Sequence, residues 1–285
     1  MKLAVPETIP EALRLLGTDG ARCLAGGQSL VAMMNAHLVE PSLLVSLRRI
    51  SRLNDIARRE DGGLRLGAMT VHADVARLKV AAAGPDLLVQ AARDIAHPAV
   101  RNQGTIGGSL AHADPAADYP TAVVCAGATI GIVGSSGERR VAADDFFLGY
   151  YETALQPGEI LVDVDVPAGP DHAASHYEKF SLVDGDFAVV SAAAIIGMTN
   201  GRCDHAQLAV GACAARPVRA ERAEAALLGS ALDDTAIAEA GRLLAEACDP
   251  IDDFRGSAAY RLKMVPRLVA RAIRAARAKA ETRHA

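Results

Sequence analysis

Hydrophobic positions change their spacing several times along this chain, and each change marks an element. Thr8 and Glu11 stand at capping-box spacing with Pro10 between them, which predicts a short helix from residue 11 stopped by Gly17. A strand over 22–24, a glycine pair, a helix over about 29–38 and a buried strand over 43–47 follow at once. Strand, loop, helix and strand in that order make a small α/β subdomain. The next block opens with a strand over 64–67, a helix capped by Thr70, and a longer helix over about 85–96 ended by Pro98. Between 100 and 119 the periodicity disappears; the stretch is rich in small residues and is expected to be an ordered loop leading into an apolar helix near 116–126. Alternating segments over 129–133 and 139–141, joined by Gly134, Ser135, Ser136 and Gly137, predict a hairpin, and 159–166 alternates as a further strand.

The pattern breaks again over 167–174, where prolines and glycine mark a linker. The domain boundary is placed there, giving a first domain over 1–170, with subdomains of about 1–55 and 56–170, and a second over 171–285. Beyond it, strands are expected near 175–181, 187–198 and 202–211, the last two joined at Asn200 and Gly201, the strongest short hairpin signal. Helices near 218–228, 235–247 and 257–280 complete the chain, the last kinked at Pro266. The fold class is α+β: two α/β subdomains, then three antiparallel strands followed by three helices.

Composition narrows the function. The 285 residues suit two domains, and 51% hydrophobic against 22% charged residues supplies enough apolar surface to offset the entropy of ordering. A net charge of −4 without a dense basic block gives no nucleic-acid footprint, and no apolar run reaches the ~20 residues of a membrane span. The basic stripe of Arg271, Arg274, Arg277 and Lys279 reads as a solvated helix face. Five scattered cysteines form no C-x-x-C pair and no metal-ligand spacing, so no metal site is expected; with no signal segment at the start, this suits a reducing cytoplasm.

Two glycine pairs carry the chemistry. Gly26 and Gly27 lie between a strand and a helix start, where backbone N–H groups are unpaired and the lack of Cβ atoms lets an anion come close. Gly107 and Gly108 are flanked by the hydroxyls of Thr105 and Ser109, and Asp118 follows nine residues after Ser109. Two such loops suit the two sides of one diphosphate, with Asp118 accepting from ribose hydroxyls. No two glycines are spaced G-x-G and no G-K-[ST] occurs, so neither the Rossmann fingerprint nor a P-loop is present. His172 and His176 are four apart but fall in the linker, His97 before Pro98 reads as a helix-ending histidine, and His112 and Asp114 suit holding the second loop. The run from Gly107 to Ala111 lacks the second glycine of a nucleophile elbow.

The segment Ala25, Gly26, Gly27, Gln28, Ser29, Leu30, and the segment from Thr105, Ile106, Gly107, Gly108, Ser109 through Asp118, closely resemble the flavin subunits of the xanthine dehydrogenase and carbon monoxide dehydrogenase family. The likeness extends to residues 159–162, 177–179 and 185–188 and so covers nearly the whole chain. It implies an FAD-binding domain of the vanillyl-alcohol-oxidase (PCMH) type before the strand-and-helix domain. It implies that Leu24, Ala25, Gly26, Gly27, Gln28, Ser29, Leu30 and Val31 wrap the pyrophosphate, and that Thr105, Ile106, Gly107, Gly108 and Ser109 close over it. By the same resemblance Asp118 lies near the adenosine ribose, Ile95 and Leu161 make apolar contacts, Ile106 packs near the isoalloxazine, and Lys179 meets the ring's polar edge. Many relatives carry Arg four residues before the position of Asp186; this chain has Leu182. The implied role is an electron-transfer subunit with FAD and no catalytic acid or base of its own. Its implied partners are a large molybdenum-cofactor subunit and a small [2Fe-2S] subunit in a heterotrimer, possible as a dimer of heterotrimers, with an external electron acceptor. The alternative is a stand-alone FAD-dependent oxidoreductase of the same fold; a scaffold whose glycine loops bind nothing is a third reading.

Overall fold

A computed structural model describes residues 2–282. The first unit is β1 (Lys2–Ala4), α1 (Ile9–Leu16), β2 (Ala21–Leu24), α2 (Leu30–Asn35) and β3 (Leu43–Ser46), with the strands parallel in the order β1-β3-β2. The α1 cap forms as the spacing predicts: Thr8 Oγ1 accepts from Glu11 N–H at 3.3 Å, while the Glu11 carboxylate reaches back to Glu7 N–H. Strand β1 was not legible, since three residues carry no periodicity. Helix α2 is shorter than expected because His37 turns left-handed, with φ of 55°.

The second unit runs through β4 (Ile56–Arg58), β5 (Leu64–Gly67), α3 (His72–Arg77), α4 (Ala83–Asp94), α5 (Pro98–Arg101), α6 (Ile106–His112) and α7 (Asp118–Cys125). It continues with β6 (Thr129–Gly134), β7 (Gly137–Ala142), α8 (Ala143–Phe146), β8 (Phe147–Gly149), β9 (Glu152–Thr153) and β10 (Ile160–Val166). Five strands form an antiparallel sheet ordered β4-β5-β10-β6-β7, and β8 pairs with β9 alone. Two expectations fail here. Thr70 does not cap α3: Val71 pairs with Thr105 and takes the cap position, leaving the Thr70 hydroxyl buried without a partner among the described residues. The stretch 100–119 is not simply a loop, because Thr105 Oγ1 caps α6 and tertiary packing of Ile106 and Leu110 overrides the poor helix propensity of two glycines.

The last unit is an antiparallel sheet of β11 (Ala173–Phe180), β12 (Val190–Thr199) and β13 (Arg202–Gly211), then α9 (Glu221–Ala225), α10 (Asp234–Ala247) and α11 (Ala258–Thr282). Asn200 and Gly201 both take positive φ, 52° and 74°, the backbone of a type I′ turn. The helix expected over 218–228 starts late because Val218 exchanges backbone hydrogen bonds with Val210 at 2.8 and 2.9 Å. Helix α11 is continuous through Pro266. Alternate residues of β12 serve two different cores: Ala193 and Ile195 face α4 and α7 with the second unit, whereas Ala192, Ala194 and Ile196 face α10 and α11. The C-terminal sheet is therefore a wall between two cores, which explains why β12 reads as an unbroken apolar run. Likewise β10 sends Ile160 and Val162 into the first unit's core and Leu161 and Val164 into the second's, with a register shift between Leu161 and Asp163.

Candidate cofactor site

The two glycine segments meet. A Cβ on Gly26 would stand 2.1 Å from the Gln103 carbonyl oxygen and 2.7 Å from Gly104 Cα, and one on Gly108 would stand 3.4 Å from the Ala25 methyl. Only glycine lets the first loop seat itself this closely against the backbone that leads into α6. Gly27 adds a left-handed turn, with φ of 73°.

Their hydrogen-bonding states differ. In the second segment every early N–H is spent inside the protein: Ile106 on Thr70 O at 3.0 Å, Gly107 on Ala68 O at 2.8 Å, Gly108 on Thr105 Oγ1 at 3.1 Å, and Ser109 on Thr105 O at 3.0 Å. In the first, the N–H groups of Gly26, Gly27, Gln28, Ser29 and Leu30 have no protein acceptor among the described residues. Five such donors in succession make an anion nest. The second segment buttresses the nest and has already spent its own early backbone donors.

Asp118 and Lys179, 61 residues apart, form one buried pair at 3.0 Å, each side chain 6% exposed. Tyr177 Oη donates to the other carboxylate oxygen at 2.8 Å, and the Lys179 ammonium also donates to Asp94 O at 3.0 Å. Burial pushes the Asp118 carboxyl above its ordinary range, opposed by the Lys179 charge and the hydrogen bonds from Lys179 and Tyr177. The expectations that put Asp118 at one end of the cofactor and Lys179 at the other thus fall on a single locus. Beside it opens a cleft of about 370 Å³ lined by Arg93, Asp94, His97, Arg101, Lys179 and Asp184, among others. Its floor is held rigidly: Ala96 has φ of 43°, Arg101 donates to Ile95 O and Ala96 O at 2.8 and 2.6 Å, and Gly185 packs on the Ala96 carbonyl.

Ile95 is half-buried at this floor, whereas Ile106 is fully buried and Leu161 is 4% exposed, so the last two anchor the loops from below. His97 occupies the N-cap position of α5, without a capping bond from its side chain, instead of ending α4. Asp114 holds its loop by accepting from Ala116 N–H at 2.9 Å, with Tyr151 Oη at 3.4 Å and the His112 ring against Tyr151. Sequence reasoning missed His72. Its ring lies under the second segment, where a Cβ on Gly104 would come within 2.5 Å of Nε2, and it leans on Tyr119 at 5.2 Å. Burial and then the Arg101 charge push its pKa down to about 4, and Nδ1 has no partner among the described residues. No local signal marks it, since its role depends on a segment 32 residues away.

Residues 1–169 match the family described as the FAD binding domain in molybdopterin dehydrogenase, and residues 175–276 the CO dehydrogenase flavoprotein C-terminal domain. The chain belongs to the FAD-binding subunits of the molybdenum hydroxylases. This flavin subunit is 37% identical over 280 residues to the 6-hydroxypseudooxynicotine dehydrogenase complex subunit alpha of Paenarthrobacter nicotinovorans, covering 96% of this chain and 94% of that protein. It is 38% identical to the carbon monoxide dehydrogenase medium chain of Afipia carboxidovorans, covering 97% of this chain and 96% of that one. Among solved structures, carbon monoxide dehydrogenase of Hydrogenophaga pseudoflava superposes with a TM-score of 0.93 at 38% identity, over 98% of this chain and 97% of that one. The flavin subunit is thus part of an oxidoreductase, and its α+β architecture is that of its relatives.

Proposed function

We propose that this flavin subunit is the electron-transfer subunit of a heterotrimeric molybdenum hydroxylase. A large partner holds the molybdenum cofactor, a small partner holds [2Fe-2S] clusters, and electrons leave to an external acceptor. Bound FAD would supply the redox chemistry that links one-electron clusters to the external acceptor. The observation that carries the reading is the nest of five unspent N–H groups pressed against the second glycine segment, a shape and charge that fit a diphosphate. Residues 26–30 would hold that diphosphate, and Ser109 would add a hydroxyl. The Asp118–Lys179 pair would fix polar groups of the cofactor at one point, and Ile95 would give an apolar contact beside the cleft. The chain's part is to bind and orient; hydroxylation belongs to the large partner. The division at residue 170, a dimer of heterotrimers and a cytoplasmic location complete the proposal.

The test is native purification followed by measurement of size, iron, molybdenum and flavin, then of flavin bleaching on adding reductants. Two co-purifying chains with both metals are expected, and the isolated subunit should bleach with dithionite but not with the hydroxylase substrate. A metal-free monomer whose flavin is reduced rapidly by a small organic molecule would establish the stand-alone oxidoreductase instead.

A further inference from the structure

Two of the five cysteines come together where the end of β13 meets the end of α10. Cys213 follows β13 and is fully buried; Cys248 ends α10, is partly exposed, and packs against the same core. The backbone holds them in register, because Asp249 N–H donates to Cys213 O at 3.0 Å. That single bond joins the Cys213 carbonyl to the amide that follows Cys248 and so brings the two Cα atoms close to one another. A disulfide needs Cα atoms roughly 4.4–6.8 Å apart. The neighbouring Cys248 thiol and burial together push the Cys213 thiol up.

The buried guanidinium of Arg261 donates to Ala212 O at 2.7 Å and pairs with Asp253 at 2.5 Å, and its charge offsets only part of the upward push on Cys213. Ala212 itself is left-handed, with φ of 62°, and its N–H is fixed on Pro115 O at 2.9 Å. The backbone on the Cys213 side is thus held by contacts of its own. The other buried thiols differ: Cys125 donates to the Gln207 carbonyl and Cys203 to the His205 carbonyl.

We propose that Cys213 and Cys248 are a peroxide-responsive dithiol that closes to a disulfide and clamps α10 to the end of β13. A peroxide attacks at the accessible Cys248 sulfur: an S–O bond forms, the O–O bond breaks, and the departing hydroxide leaves as water with the Cys248 proton. The Cys213 sulfur then displaces the hydroxyl from the sulfenic acid, forming S–S and breaking S–O, and its proton leaves with that hydroxide as a second water. Two thiols are oxidised by two electrons and one peroxide is reduced to two waters. The site stands independently of how the flavin subunit passes its electrons.

The experiment treats the full-length, FAD-loaded protein with a few equivalents of hydrogen peroxide, removes the excess with catalase, then denatures, alkylates and digests without reductant. The expected map contains the Cys213–Cys248 linked peptide, with Cys125 and Cys203 still alkylated. Because the bond closes a loop of 34 intervening residues, Tm should rise by roughly 5 °C and return on adding dithiothreitol. Cys248→Ser should remove both the link and the shift, and in Cys213→Ser dimedone should tag Cys248. The wild-type map decides even if a variant folds poorly. Sulfinic acid at Cys248 beside a free Cys213 thiol, or both thiols free when other cysteines are oxidised, overturns the proposal.

Discussion

Replacing Gly26 by Ala tests the site most directly, because one methyl group separates the two glycine segments. The added Cβ would lie 2.1 Å from the Gln103 carbonyl oxygen and 2.8 Å from its carbon. Ordinary contact needs roughly 3.4 Å or more, so one backbone must retreat by more than 1 Å, and no rotamer relieves a clash with main chain. Overpacking of this kind costs about 1–3 kcal/mol. The nest faces the buttress that retreats, so a loss of about 2–3 kcal/mol should fall on cofactor binding, weakening FAD affinity by about 30- to 150-fold. Titration of apoprotein with FAD, followed by flavin fluorescence, gives the dissociation constant. Gly17→Ala is the control: that glycine ends α1 at φ of −68°, and its Cβ would sit 3.3 Å from Arg14 O. An unchanged FAD affinity in Gly26→Ala, with the fold intact by circular dichroism, refutes the placement of the diphosphate in the nest.

Lys179→Met leaves the Asp118 carboxylate buried without its cation and should cost about 3–5 kcal/mol at pH 8. Burial already raises this carboxyl's pKa and the variant raises it further, so protonation relieves the penalty and the Tm deficit should shrink between pH 8 and 5.5; a deficit that grows on acidification contradicts the account. His72 has its folded pKa lowered from 6.5 to about 4, so its stabilising contribution is full above 6.5 and is lost as pH falls toward 4. The loss is on the order of 3 kcal/mol, and His72→Phe should flatten the urea midpoint against pH over that window. Gly84→Ala should destabilise by about 1–3 kcal/mol in a urea melt even though alanine is the better helix former, because its Cβ would stand 2.1 Å from Pro167 O; a stabilised variant would show that propensity outweighs packing there.

What sequence alone determined is whatever rests on local backbone preference. Asn200 and Gly201 accept positive φ without help from elsewhere, so the β12–β13 hairpin and its turn were readable, and the expected span 202–211 is the span of β13. Thr8, three residues before Glu11, announced α1 by the same local logic, and the glycine pairs announced two places where backbone must approach something closely. Tertiary structure decided which of those places keeps its donors. Nothing in residues 105–109 says that Ala68 and Thr70 will consume their N–H groups, and nothing in residues 26–30 says that theirs will be left over. Nor does local pattern tell that Asp118 and Lys179 will neutralise each other, or that successive residues of Ala192, Ala193 and Ala194 will face different cores. The physical reason is the range of the forces involved. Dihedral preferences and caps act within a turn of chain, whereas burial, charge pairing and the filling of a backbone's hydrogen bonds depend on segments that only the folded chain brings together.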